Sequence, residues 1–267
     1  AVLIVGTYVF PEVFPELASP FRDDARIVHI DLDAYEIAKN FPVEIGLAAD
    51  PRLTLEALAG ELARRGAPAT TAPPAPRPMP PQVGPESLME HFARELARQA
   101  PGNLAVFDEA LTSSAPITRH LPPRIPGTYF QTRGGSLGVG IPGALGVKLA
   151  RPDLQVVGFT GDGGSMYTIQ ALWTAARHHI DAKFVICNNR RYRLLDLNIE
   201  QYWKELGIPR HAYPDAFDLS RPDIRFADLA ASLGVPGIRV DKPENVAEAV
   251  RALLTHDGPF LVDLITE

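Results

Sequence analysis

The sequence is poor in sulfur and in tryptophan: its 267 residues include one cysteine, three methionines and two tryptophans. The single cysteine, Cys187, excludes a disulfide within the chain. Cys187 stands in an apolar, strand-like run, so we expect a buried and unreactive thiol rather than a nucleophile.

Positive charge and long apolar runs are also scarce. The chain has 26 Lys and Arg against 32 Asp and Glu, with a net charge of −6 and a pI near 5.7, which argues against a nucleic-acid partner. Short arginine groups, such as Arg190, Arg191 and Arg193, should therefore face phosphate or solvent. No apolar run is long enough for a membrane span, and no signal-like segment opens the sequence. We expect a globular protein of the cytoplasm with no membrane partner.

Proline, by contrast, is abundant and concentrated in one segment. Residues 66–85 are rich in Pro, Ala and Thr, a composition that cannot pack a core and favours extended polyproline conformations. We predict an interdomain linker there. Residues 1–65 precede it, with strands over 2–5 and 26–32, a helix over 51–65 and no catalytic motif. Residues 86–267 form a second domain.

The most informative motif of that second domain starts at an apolar strand over 156–160 and turns at Gly161, Asp162, Gly163 and Gly164. Glycines permit positive φ and close approach of a ligand to the backbone. Successive backbone N–H groups at such a turn make an anion-binding concavity at the start of the next helix. The turn therefore predicts a phosphate site.

A helix and a second strand follow the turn and complete a βαβ unit. The strand is predicted over 183–187, parallel to the first strand and reached by a right-handed crossover. Asp162 and Asn189, which are 27 positions apart, should then meet at one edge of the sheet. The helix shows apolar residues at helical spacing that are expected to pack on the sheet: Ile169, Leu172, Trp173, Ala176 and Ile180.

One carboxylate oxygen, one amide oxygen and a nearby backbone carbonyl form a hard, sparse ligand set that suits Mg²⁺ and could also take calcium. The simpler alternative is a generic α/β domain, in which the glycines form only a turn and Asn188 and Asn189 cap the next element.

The order of GDG, helix, strand and NN resembles the cofactor signature of thiamine diphosphate (ThDP) enzymes. The resemblance implies that Asp162 and Asn189 bind the metal through side-chain oxygens and Arg191 through its main-chain carbonyl. It places Gly161, Gly163, Gly164 and Ser165 along the diphosphate, with Asn189 and Tyr192 beside them.

Two positions depart from the family pattern. Relatives usually carry glycine where Arg190 stands, and often serine where Gly164 stands. We expect Arg190 to adopt ordinary φ and ψ angles and to add positive charge near the diphosphate.

Upstream, Gly127-Thr128-Tyr129-Phe130 and the glycine-rich run that follows are similar to the ThDP-dependent 2-oxo acid decarboxylases and carboligases of the benzoylformate decarboxylase type. The resemblance implies that Gly135, Ser136 and Leu137 contact the cofactor. Gly135 would present its carbonyl to the aminopyrimidine, and Leu137 would be the apolar wedge that holds ThDP bent. Alternatively, residues 136–146 form a glycine-rich helix packed on the sheet, with Leu137 in the core.

Thr112 follows a short strand predicted over 104–107 and lies where relatives offer a hydroxyl to the diphosphate. A helix cap by Thr112 or Ser113 is the alternative. Leu194, Leu195 and Asn198 lie where relatives line the substrate pocket, and Tyr202 and Trp203 follow them; core packing would explain these residues equally well.

The fold implied is α/β: a parallel sheet flanked by helices for residues 86–267, with a partial α/β central domain over residues 1–65. The function implied is ThDP- and Mg²⁺-dependent decarboxylation of a 2-oxo acid, with a preference for an aromatic one such as benzoylformate, and with carboligation as a further outcome.

No residue of this chain is assigned as catalytic, because the family's activating glutamate lies in a pyrimidine-binding domain that does not precede Ala1. We therefore expect a fragment, or one subunit of a split enzyme. It would be inactive alone and completed by a pyrimidine-binding domain in a homodimer or homotetramer. A catalytically silent ThDP-binding or regulatory subunit and an acetolactate-synthase-like enzyme are the alternatives. His178 and His179, near the end of a helix, are expected to be solvated or capped rather than catalytic.

Overall fold

The computed structural model describes residues 1–7, 19, 21–67, 86–132 and 135–266. The chain divides into two compact units, residues 1–78 and 79–267. Most of the predicted linker, residues 68–85, lies outside the described residues, so the linker stays a prediction.

The first unit is a small parallel sheet with one helix. Its strands are β1 (Val2–Val5), β2 (Ile27–Asp31) and β3 (Ile45–Ala48), paired in that order, and α1 (Pro51–Arg64) follows them. The side chain of Asp50 accepts a hydrogen bond from Leu53 N at 2.9 Å and caps the helix. The predicted strands and helix are present; β3 was not predicted, because its four exposed residues carry no burial pattern.

The second unit is built on a six-stranded sheet in which every paired strand is parallel. Its strands, in spatial order β5-β4-β6-β7-β9-β8, are β4 (Leu104–Glu109), β5 (Tyr129–Gln131), β6 (Gln155–Gly161), β7 (Ala182–Asn188), β8 (Gly237–Val240) and β9 (Phe260–Ile265).

Helices connect these strands and cover both faces of the sheet. They are α2 (Leu88–Gln99), α3 (Ser114–His120), α4 (Gly140–Ala150), α5 (Asp162–Ser165), α6 (Ala171–Arg177), α7 (Arg193–Glu205), α8 (Phe226–Ser232) and α9 (Val246–Thr255). Short 3-10 turns lie at Leu111–Ser113, Asp215–Phe217 and Pro243–Asn245. The fold is thus the predicted parallel α/β sheet flanked by helices.

The core has one layer on each side of the sheet. Residues of α2, α3 and α9 pack on one face, and residues of α4, α6 and α8 pack on the other. Val156 and Val157 point to opposite layers, as successive residues of a strand must. Strands buried on both faces explain the nearly continuous apolar runs in the sequence.

Helix α4 lies unusually close to the sheet because glycine occupies the contact positions. A Cβ at Gly143 would lie 2.3 Å from the ring of Phe107, and a Cβ at Gly158 would lie 2.8 Å from the Cβ of Ala144. The glycine-rich helix proposed from the sequence is therefore present, although it begins at Gly140.

Two details of the predicted βαβ unit are wrong. The glycines at 161, 163 and 164 do not adopt positive φ, because β6 runs directly into the short helix α5. Trp173 is 52% exposed, and the guanidinium carbon of Arg177 lies 5.2 Å from the centroid of its ring, whereas Ala175 takes the buried position. Helix α6 begins only at Ala171, which shifts its buried face. Among the described residues, none of the helices has the length and apolar character that crossing a membrane requires.

Candidate functional site

The candidate site lies where β6 and β7 end. These strands are neighbours in parallel register, with Gly161 opposite Cys187. Asp162 and Asn189 each lie one residue beyond a strand end, so the topology brings them together. Open α/β sheets bind ligands at the carboxyl ends of their strands.

Asp162 is a buried carboxylate held by backbone N–H groups. Its Oδ1 accepts a hydrogen bond from Gly163 N at 2.8 Å, and its Oδ2 accepts one from Arg191 N at 3.3 Å. Burial raises the pKa of Asp162 to about 6, since it outweighs the lowering effect of these hydrogen bonds. The carboxylate is therefore ionised at neutral pH but poorly solvated, which favours a cation beside it.

The two asparagines have different roles. Asn189 Oδ1 accepts a hydrogen bond from Arg191 N at 3.0 Å, so it converges on the same N–H group as Asp162. Asn188 is buried and donates to Asp263 Oδ1 of β9 at 2.9 Å. Helix α7 begins after Tyr192, and among the described residues no side chain caps it. The alternative in which the asparagine pair caps the next element is wrong.

Arg190 differs from its prediction in both backbone and charge. Its φ is +56°, in the left-handed region where glycine is favoured. Its Nε lies 3.2 Å from Asp223 Oδ1, so the guanidinium is held by an acidic partner rather than facing the cavity. The expected ordinary backbone is wrong, and the glycine usual in relatives has a steric explanation.

Arg191 is anchored through its side chain. The guanidinium pairs with Asp196, a fully buried residue of α7, and lies 4.8 Å from the centroid of the Tyr213 ring. The anchored side chain fixes the backbone whose carbonyl is the predicted third metal ligand.

Gly163 is required by close packing. A Cβ there would lie 2.3 Å from Cε1 of Tyr192, whereas a Cβ at Gly161 would meet nothing within 4 Å. Ser165 Oγ donates to the carbonyl of Asp162 at 2.7 Å and is buried in α5.

A cavity of about 430 Å³ opens over these groups. Its lining includes most of the predicted site residues: Thr112, Leu137, Gly161, Asp162, Gly163, Gly164, Asn189, Arg191, Tyr192, Leu194 and Leu195. Four predicted residues are outside its described lining: Gly135, Ser136, Ser165 and Asn198. The lining also includes residues that were not predicted as ligands: Ala110, Leu111, Ser113, Tyr167, Cys187 and Arg193.

The loop before α4 places Leu137 in this lining. Leu137 is 39% exposed and precedes the helix, so its assignment to the core is wrong. Gly135 is exposed with φ +69°. Residues 133 and 134 lie outside the described residues.

Thr112 and Ser113 lie on the 3-10 turn after β4. Among the described residues, neither hydroxyl caps that turn or α3. Thr112 lines the cavity and has no capping role at either element. Leu111 beside it has φ +50°, a conformation that no sequence pattern indicated.

Several other predicted roles can be compared with the structure. Cys187 is buried, and burial raises the pKa of its thiol, as expected for an unreactive cysteine. Trp203 stacks on Tyr213 with ring centroids 5.9 Å apart, and neither Trp203 nor Tyr202 is in the cavity lining. His178 ends α6.

The donor set fits a hard divalent cation and a diphosphate. The described residues contain no cluster of three His, Cys, Asp or Glu side chains that could hold a metal ion. The predicted site instead needs one carboxylate, one amide oxygen and one carbonyl, with phosphate and water completing the octahedron of Mg²⁺. The cavity supplies the first two at adjacent strand ends, beside a glycine that leaves room for no larger residue.

Comparisons with known proteins also indicate a ThDP-binding domain. Residues 112–264 match the family described as thiamine pyrophosphate enzyme, C-terminal TPP binding domain; thiamine pyrophosphate is another name for ThDP. The chain is 30% identical to benzoylformate decarboxylase of Pseudomonas aeruginosa, over 100% of this chain and 48% of that protein. It is 33% identical to a Mycobacterium tuberculosis protein assigned as an acetolactate synthase large subunit, IlvX, over 83% of this chain and 43% of that protein.

Among solved structures, the ThDP-dependent 4-hydroxybenzoylformate decarboxylase of Rhodococcus jostii RHA1 is similar over 100% of this chain and 49% of its own, with 28% identity and a TM-score of 0.75. The chain spans about half the length of the curated relatives that it matches.

Proposed function

The chain belongs to the thiamine pyrophosphate enzymes through their C-terminal cofactor-binding domain, and from this membership we propose that it binds the diphosphate of ThDP through Mg²⁺ at the ends of β6 and β7. The observation that carries the proposal is the convergence of Asp162 and Asn189 on one backbone N–H group, that of Arg191, within a single cavity. That convergence supplies two hard oxygen ligands from residues 27 positions apart.

The chain's own residues would divide the work of holding the cofactor. Asp162 and Asn189 would bind Mg²⁺ through side-chain oxygens and Arg191 through its carbonyl. Thr112 would donate its hydroxyl to the diphosphate, and Leu137 would support the organic part of the cofactor. Thr112 reaches the cavity from the 3-10 turn after β4, and Leu137 reaches the same cavity from the loop before α4.

When bound, ThDP supplies the electron sink that allows a 2-oxo acid to lose CO₂. We propose that this chain forms one side of the site for such a decarboxylation. The cavity lining includes Leu111, Leu194, Leu195 and Tyr167, so it suits an apolar or aromatic substituent. The aryl substrates named for two of the relatives support an aromatic 2-oxo acid.

The other half of the site would come from a pyrimidine-binding domain, either of another subunit or of the same polypeptide. The matched relatives are about twice as long as this chain, which supports that proposal. We propose a homodimer or homotetramer in the cytoplasm as the working assembly, with no activity from this chain alone.

Carboligation is the second candidate. The similarity to the Mycobacterium tuberculosis protein, at 33% identity, favours it. Both reactions begin with loss of CO₂ from a 2-oxo acid, so they would share the site residues proposed above.

The cofactor site is tested by calorimetry of ThDP with Mg²⁺. We expect binding that disappears when Mg²⁺ is replaced by EDTA or when Asp162 is changed to Ala. Asp153→Ala is the matched control, because Asp153 is an exposed carboxylate at the opposite end of β6, paired with Arg151. Binding that survives Asp162→Ala would contradict the proposed site.

The reaction is tested with an assembly that contains both this chain and the pyrimidine-binding domain that completes its site. Benzoylformate, 4-hydroxybenzoylformate and pyruvate would be supplied, and the products separated by chromatography. An aldehyde from the aryl substrates supports decarboxylation, acetolactate from pyruvate supports carboligation, and cofactor binding without either product indicates a silent subunit.

A further inference from the structure

The loop that carries Leu137 has a tightly constrained backbone. Gly138 follows Leu137 with φ +90°, and a Cβ at this position would lie 2.6 Å from the Cβ of Tyr167. Both the dihedral angle and the space therefore demand glycine. Leu137 sits immediately before a residue that has little conformational freedom.

Glu109 fixes the backbone of this loop through hydrogen bonds. It is the last residue of β4 and is 1% exposed. Its Oε1 accepts a hydrogen bond from Gly138 N, and its Oε2 accepts one from Gly140 N. A buried carboxylate is costly unless it is hydrogen-bonded, and both of its oxygens have partners at the N-terminal end of α4, where the helix dipole favours negative charge.

Thr168 holds the same glycine from the other side. Its Oγ1 donates to the carbonyl of Gly138 at 2.6 Å. Gly138 is thus bound at its N–H by β4 and at its carbonyl by the segment after α5. Two side chains from different parts of the chain fix the peptide groups on both sides of Gly138.

Glu109 also lies beside the diphosphate side of the cavity. A Cβ built at Gly164 would be in ordinary van der Waals contact with Glu109 Oε1, at 3.6 Å, so the carboxylate lies next to α5 as well as next to the loop. One buried side chain therefore spans the two segments that would hold opposite ends of the cofactor.

We propose that Glu109, assisted by Thr168, is a positioning residue that holds Leu137 at a fixed position relative to the metal and diphosphate site. This inference rests on the proposed function. A carboxylate is needed rather than an amide, because both N–H groups require acceptors and glutamine offers only one oxygen. Leu137 then meets the organic part of ThDP at a fixed distance from Asp162, without rearrangement when the cofactor binds.

The test compares two ligands in the presence of Mg²⁺: ThDP, which has an organic part for Leu137 to contact, and inorganic pyrophosphate, which does not. We expect the wild type to bind ThDP about tenfold more tightly than pyrophosphate. Glu109→Gln, Thr168→Val and Leu137→Ala should remove most of this margin and leave pyrophosphate affinity unchanged. Glu90→Gln is the control, because Glu90 is a buried carboxylate paired with Arg119 and His120 of α3.

Hydrogen exchange provides a second measurement that does not require a ligand. The amides of Gly138 and Gly140 should both exchange slowly in the wild type. In Glu109→Gln at least one of them should exchange much faster, because glutamine keeps a single acceptor oxygen, while Glu90→Gln leaves both unchanged. If Glu109→Gln does not fold, Thr168→Val carries the same test of ligand preference.

The outcomes separate the inference from the proposed function. A wild type that binds neither ligand contradicts the proposed function, and unchanged exchange at both Gly138 and Gly140 in Glu109→Gln would still overturn the positioning role. A wild type with equal affinity for both ligands, or a Glu109→Gln protein with the full preference for ThDP, also overturns the inference.

Discussion

The buried carboxylate of Asp162 destabilises the fold when no cation is bound, and the same carboxylate would bind a cation when one is present. Its side chain is 4% exposed, and burial raises its pKa from the ordinary 3.8 to about 6. A raised acid pKa means that the folded state binds the proton more readily than the unfolded chain does, so folding becomes less favourable as pH rises through this interval. A bound cation would offset the cost.

We predict that replacing Asp162 with Asn stabilises the metal-free protein at pH 7.5 by up to about 3 kcal/mol, since each pKa unit corresponds to about 1.4 kcal/mol. Near pH 4 the two proteins should be equally stable. Urea unfolding in EDTA across this pH range would measure the difference. Paired carboxylates such as Glu95 and Asp218 have lowered rather than raised pKa values. Because these residues are present in both proteins, they do not contribute to the difference. An advantage that does not depend on pH would contradict the assignment.

Gly163 and Gly161 offer a matched pair at the same strand end. We predict that Gly163→Ala lowers the free energy of unfolding by about 1 to 3 kcal/mol, the usual cost of overpacking, because the added Cβ would press on the ring of Tyr192. Gly161→Ala should be close to neutral, since open space surrounds that position. Equal losses in the two variants, measured by urea unfolding, would show that Tyr192 moves aside.

At the scale of elements, the segment between β7 and α7 is shaped by contacts with other parts of the chain. Arg190 pairs with Asp223, its carbonyl accepts from Leu219 N at 2.8 Å, and Arg191 is anchored on Asp196 and Tyr213. These contacts hold the predicted metal-binding backbone against the segment that follows α7. The geometry of the site thus depends on an element that contributes nothing to the cavity lining.

We predict that Asp196→Asn costs about 2 kcal/mol of stability, because it weakens a charged hydrogen bond to Arg191 from a fully buried position. Mg²⁺ affinity should fall as well, since the Arg191 backbone loses its anchor. Asp228→Asn is the control: Asp228 is exposed and pairs with Arg225 on the surface, so its loss should be undetectable. Similar unfolding curves for both variants would argue against the anchoring role.

At the scale of the whole molecule, the two units differ in how well they bury their apolar surface. The second unit has a complete core layer on each face of its sheet. In the first unit, no residue of α1 is buried, and Leu53, Leu55, Leu58 and Leu62 are exposed. Leu55, Leu58 and Leu62 recur at helical spacing, and an exposed apolar helix face of this kind usually marks an interaction site.

We predict that the isolated chain binds the dye ANS and self-associates through α1. Replacing Leu55, Leu58 and Leu62, each by Gln, in one variant should reduce dye fluorescence and association, with unfolding free energy changed by less than about 0.5 kcal/mol. Replacing Arg52, Glu56 and Arg64 with Gln tests the same helix without altering its apolar surface. Equal dye binding in the two variants would place the apolar surface elsewhere.

The sequence alone determined the family, the parallel α/β fold and most of the cavity lining. Strand runs, glycine positions and the spacing of Asp162 and Asn189 are local patterns, and parallel topology then forces their ends together. Those expectations needed no knowledge of contacts between distant residues.

Only the tertiary structure decided the backbone of Arg190, the exposure of Trp173 and the partners of Glu109. Arg190 and Glu109 depend on groups from other parts of the chain, Asp223 and the amides of Gly138 and Gly140 respectively. The exposure of Trp173 follows from the late start of α6. Periodicity reports which face of an element is apolar but not which distant group will satisfy a buried charge, because that pairing is selected by packing.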